Sequence, residues 1–136
     1  MSLEAAKSLL TLCRNCSRAS AHFASELSSR DAVHTIASGE KHFDFEEMVA
    51  LKDAVSGVPL HQLPDVLISP AMALAATMRQ LRQIVEVAVR EHRTMDAEQF
   101  ANFFRTMAEI SKSLAATTSD IQTEVSKQQE RQTVAP

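Results

Sequence analysis

Residues 94–125, TMDAEQFANFFRTMAEISKSLAATTSDIQTEV, decide the fold. Phe103, Met107, Ile110, Leu114, Thr117 and Ile121 recur at alternating spacings of four and three. That is a heptad seam, an apolar line along one face of a helix. Asp96 is a good N-cap with Gln99 three residues on, and Met95 and Phe100 stand at the two positions of a hydrophobic staple. The reading is a helix over 97–127 whose seam thins at Thr117 and Thr118. The following residues have almost nothing to bury, so 128–136 are expected to be a frayed or disordered tail.

Working backward, Ser69-Pro70 reads as a helix start, an N-cap followed by proline at the first helical position. The helix it opens, 70–93, carries Leu74, Met78, Leu81, Val85 and Ala88 as one seam, and Ile84, Val87 and Val89 widen that seam. A helix apolar over so much of its circumference belongs at the centre of a bundle or at a subunit interface. The corner at Thr94-Met95 is short, which makes the two long helices antiparallel neighbours.

The N-terminal half supplies the remaining helices. Ser2 and Glu4 suit a helix start, and Leu9, Cys16 and Phe23 repeat at seven beside Ala6, Cys13, Ser20 and Leu27. A long helix is therefore predicted over 3–28. A short one follows at 31–38, stopped by Gly39, and another at 44–56, capped by Asp44 with Glu47 and stopped by Gly57. Residues 58–69, VPLHQLPDVLIS, contain Pro59 and Pro64, which oppose a continuous helix, and are read as an apolar connector packed over the core. The expected fold is all-α: one helical domain over 1–127, a bundle built on a C-terminal antiparallel hairpin with a long N-terminal helix and two shorter ones.

Composition agrees. A chain of 136 residues can bury a core without metal or disulfide support, and only 2 Gly and 4 Pro leave few turn signals for a β-protein. A net charge of −3 and the absence of Trp and Tyr weigh against broad phosphate binding and against stacking platforms for single strands. No apolar run reaches 18 residues, so no membrane span is expected. Met1-Ser2-Leu3-Glu4 lacks a basic-then-apolar signal, which makes the reducing cytoplasm the expected location.

Candidate chemistry is sparse. Cys13-Arg14-Asn15-Cys16 is a CxxC inside a helix, on its apolar face, where cysteine behaves as a small hydrophobe rather than a redox centre or zinc ligand. Glu40, Asp44, Glu46 and Glu47 lie near His42, and helix-start roles account for them. No phosphate loop, nucleophile elbow or metal signature occurs, so neither an enzymatic activity nor a cofactor nor a metal site is expected.

Two patterns suggest binding. Arg79, Arg82, Arg90 and Arg93 share one stripe of the fourth helix with Glu86, at ~100° per residue. The stripe reads either as a strip for phosphates or an acidic partner, or as a solvated face with an internal Glu86–Arg90 pair. Residues 44–69 also permit a helix-turn-helix, although Pro64 interrupts its second helix and only His61 and Gln62 could read bases. The leading expectation is a non-enzymatic interaction or assembly protein that self-associates, with Leu114 and Ile121 on the interacting seam. The alternative is a nucleic-acid-binding adaptor or regulator, phage-like or bacterial in style, using the Arg stripe or the helix-turn-helix segment. A weaker third is an apolar ligand pocket lined by Phe and Met.

Overall fold

The computed structural model describes residues 3–134. Among them are five α-helices and one 3-10 turn, and no strand: α1 (Leu3–Glu26), α2 (Arg30–Ala37), α3 (Phe45–Ser56), the turn at Leu60–Gln62, α4 (Asp65–Glu91) and α5 (Ala97–Val134). The all-α bundle read from the sequence is the fold. The Ser2 cap expected for α1 lies outside the described residues.

The caps form as their residue types require. Asp44 accepts from the Glu47 amide at 2.9 Å, and Gly57 closes α3 by donating to the Asp53 carbonyl at 3.0 Å. At the head of α5 the Gln99 amide donates to Asp96 Oδ1 and the Asp96 amide donates to Gln99 Oε1, both at 2.8 Å. This reciprocal box satisfies two backbone donors that the helix itself leaves unpaired. Met95 and Phe100, the staple pair, are buried. Gly39 sits just beyond α2 at φ +82°, a conformation that costs glycine little and L side chains much.

Two boundaries differ from the sequence reading. The fourth helix opens at Asp65, with Pro64 as its N-cap residue, so Pro70 lies inside it rather than at its start. Proline at 70 removes only the bond to the Val66 carbonyl. Val66 is 56% exposed, so this turn lies at the surface. The gain is that Leu63, Leu67, Ala71 and Leu74 all become buried along the extended seam. The connector is thus half as long as expected, and Val66 faces outward instead of packing down.

The second difference is the tail. The α5 helix runs to Val134, beyond the expected end at 127, and the last two residues lie outside the described range. Lys, Gln, Glu and Arg are good helix formers, and no proline interrupts them. Leu3 and Lys7 at the start of α1 line one shallow groove with Gln129 and Gln132, so these turns run beside another helix.

The most extensive packing joins α1 to α5. Cys13 Sγ meets Thr118 Oγ1 at 3.2 Å, Ser20 Oγ meets Ser111 Oγ at 3.2 Å, and the Arg14 guanidinium donates to Gln122 Oε1. Rising numbers on one helix pair with falling numbers on the other, so the two are antiparallel. The second half of α5 was expected along α4, and α1 packs on it as well, through Cys13 and Arg14. Ser20 is the one buried polar residue among those described, and its hydroxyl is satisfied across this seam. The α4 helix completes a three-helix core, with α3 laid on α4 and α1, and α2 against α4. Phe23 and Phe43 meet with ring centroids 5.2 Å apart, tying the end of α1 to the start of α3.

Leu114 is 1% exposed within this core. Leu114→Ala should therefore cost ~2–5 kcal/mol of unfolding free energy in a denaturant titration, the range for a buried leucine truncation. A loss under ~1 kcal/mol would place Leu114 outside the core and contradict the α1–α5 packing.

Candidate interaction surface

The buried seam settles where Leu114 and Ile121 point. Ile121 is fully buried and Leu114 nearly so, both within their own chain. Neither is open to a partner, and the residues that could meet one must be sought on the outer faces of α4 and α5.

On α4, ~100° per residue separates two outer strips. The first is the Arg stripe. Arg79, Arg90 and Arg93 are exposed and Arg82 is half-buried. Arg82 Nε donates to Glu86 Oε1 at 2.8 Å, and Arg90 lies 3.7 Å from Glu91. The internal pair is therefore Arg82–Glu86, not the expected Glu86–Arg90. Exposed pairs of this type contribute ~0.3–0.5 kcal/mol, so the stripe is a solvated face whose charges are partly matched.

The second strip faces the α5 side. Val66, Ser69, Ala73, Ala76, Gln80, Ile84 and Val87 follow one another along it, and it bears no charge from residue 66 to residue 87. Near its C-terminal end, Ile84 and Val87 join Met95 and Phe103 in lining a groove of about 520 Å³ between α4 and α5, together with polar Gln80, Gln99 and Asn102 and the charged Glu91. Val66, 56% exposed, stands at the strip's N-terminal end, whereas Met72, 58% exposed, stands one heptad before Arg79 on the arginine stripe. The sequence reading placed Ile84 and Val87 on a widened core seam; they are half-buried and border this groove.

The remaining candidates form no reaction centre. Cys13 and Cys16 are free and fully buried. Burial, and then the neighbouring Cys13, push the Cys16 thiol up to about 12, while burial raises Cys13 against a smaller opposing effect of its Thr118 contact. Thiols held protonated are poor nucleophiles and poor ligands. Among the described residues no three His, Cys, Asp or Glu side chains cluster as a metal would need, and no helix is long and apolar enough to cross a membrane. The helix-turn-helix expected in 44–69 does not form, since residues 65–69 are the opening turns of the 27-residue α4.

One contact had no signal in the sequence. His34 of α2 and His92 at the end of α4 face each other through their Nδ1 atoms, with ring centroids 4.6 Å apart. Phe100 lies edge-on to His34 at 5.8 Å, and the Arg30 guanidinium sits 4.9 Å over Phe100 while donating to the Met95 carbonyl. An Nδ1–Nδ1 contact needs a proton on one ring and a lone pair on the other, so it cannot survive protonation of both. Loss of solvent, then His34, then Arg93, hold the His92 pKa below the ordinary 6.5. As pH falls below that value the unfolded chain binds this proton first. The stability contributed by the pair is thus fully present above pH ~6.5 and is lost as pH falls from there toward the lowered folded value. Urea midpoints should accordingly drop between pH 7.5 and pH 5, and His92→Gln should flatten that drop. An unchanged slope in the variant would remove His92 as its source.

No family model, no curated protein and no solved structure matches this chain.

Proposed function

We propose that this chain is a non-enzymatic helical interaction and assembly protein that acts through protein–protein contacts, including self-association, in the cytoplasm. One observation carries the reading. The α4–α5 face combines a 520 Å³ groove, lined in part by Ile84, Val87, Met95 and Phe103, with a strip along α4 that bears no charge between residues 66 and 87. The seven strip residues between 66 and 87 carry no charge, which suits that strip to desolvation. Exposed Val66 at the N-terminal end of the strip points the same way.

Light scattering after size exclusion tests the reading. The expected mass lies above the 15.0 kDa of one chain and rises with concentration. Val66→Glu should lower that mass without changing helical content, because Val66 is exposed on the strip. A strict monomer up to millimolar concentration would overturn self-association.

The alternative, a nucleic-acid adaptor using Arg79, Arg82, Arg90 and Arg93, has weaker support, since Arg82 and Arg90 already lie beside carboxylates. Were it correct, a DNA gel shift would weaken steeply with salt and vanish in Arg79→Glu/Arg93→Glu. The expected result is no salt-dependent shift at physiological ionic strength.

A further inference from the structure

The geometry points to an acid-operated latch: His34 and His92 share one proton while α2 is docked, and a second proton releases residues 28–42 from the end of α4. The latch is independent of self-association and stands or falls without it.

The segment can move as a unit. Its two ends are pinned by buried Leu27 and by buried Phe43, the latter against the Phe23 ring. Between those pins only Val33 and Ile36 are buried. Ser28, Ser29 and Arg30 are exposed before α2 turns inward, and Ser38, Gly39, Glu40, Lys41 and His42 are exposed after it. Gly39, at φ +82°, gives the far side a pivot without a Cβ. Two buried side chains must offset the entropy of ordering the eight residues of α2, so its docking is closely balanced.

What else fastens α2 is polar and lies at one corner. The His34 and His92 rings meet through their Nδ1 atoms, and Arg30 reaches over Phe100 to the Met95 carbonyl. His34 is in the last turn of α2 and His92 is the C-cap residue of α4. Helix ends of that polarity favour a cation, so either ring can carry the shared proton. The N–H···N bond closes in a neutral pair and in a singly charged one. A second proton removes the accepting lone pair and sets two imidazolium rings against each other.

The charged groups on the elements that meet here do not cancel that charge. Arg30 and Arg93 add to it, and loss of solvent, then His34, then Arg93, already oppose a charge on His92. Glu91 lies 3.7 Å from Arg90, and Asp96 accepts from the Gln99 amide. Among the described residues no carboxylate, Asp31 and Glu98 included, forms an ion pair with either ring. Once α2 leaves, each imidazole binds its own proton in water. The open state thus holds one proton more than the docked state. Opening is therefore favoured as pH falls, by at most about tenfold per pH unit. It uncovers the Phe100 ring and the part of α4 on which α2 lies.

Hydrogen exchange read by mass spectrometry on the full chain, corrected for the intrinsic effect of pH, tests the latch. Between pH 6.5 and pH 5, exchange over 28–42 should accelerate by up to about tenfold per pH unit, while protection over 103–121 holds. His34→Gln and His92→Gln should each abolish that acceleration, because an amide donates to a neutral imidazole and accepts from a charged one. Both positions are half-buried, and circular dichroism at pH 7.5 checks that the variants fold. His42→Gln, at an exposed histidine on the same segment, should leave the acceleration intact. Unchanged protection over 28–42 down to pH 5 would overturn the latch. Protection lost in step over 28–42 and 103–121 would overturn it too, since that is unfolding of the whole chain. An acid response that survives in both glutamine variants would assign it to other groups and remove the histidine pair.

Discussion

Everything else in the molecule is placed by the seam between α1 and α5. These helices run antiparallel over most of their length, and each supplies a heptad line that the other covers. Burying a Leu, Ile, Phe or Met side chain contributes ~1.5–3 kcal/mol, so a seam holding Leu9, Phe23, Ile110, Leu114 and Ile121 outweighs every surface contact combined. The exposed ion pairs, at a few tenths of a kcal/mol each, could not orient these helices. Because α1 takes the inner face of α5, α4 meets α5 along only one flank. The opposite flank of that hairpin is where the groove remains.

The helices and their caps were legible because their causes are local. Asp44 with Glu47, and Asp96 with Gln99, satisfy donors three residues away, and such contacts depend on nothing distant. What could not be read were contests between local and tertiary terms. Pro70 signals a helix start, yet the burial of Leu67 outweighs one lost backbone bond, and the helix begins five residues earlier. The polar composition after Val125 signals fraying, yet α5 continues beside the first turn of α1.

The same distinction governs the site. Ile84 and Val87 were visible as apolar residues beyond a narrow seam, but periodicity alone does not say whether the excess is covered. Leu114 and Ile121 looked available only because the sequence does not state that α1 covers them. The four arginines were correctly placed on one stripe, while their pairing depended on side-chain choices among several nearby carboxylates. His34 and His92 are 58 residues apart with no shared period, so only the docking of α2 on the end of α4 brings them together.

The two small polar contacts on the α1–α5 seam have a mechanical consequence. Cys13 with Thr118 and Ser20 with Ser111 stand one heptad apart on both helices. Sliding α5 by a single turn would break both contacts, while Thr118 Oγ1 would keep its bond to the Leu114 carbonyl. Sliding it by a whole heptad would set Ser20 level with Phe104 or Cys13 level with Val125, leaving one hydrophilic contact where there were two. The pair therefore works as a two-tooth key for axial register. Shear along α1 costs both contacts, so a load applied to the outer face of the hairpin favours tilting α5 as a rigid rod over sliding it.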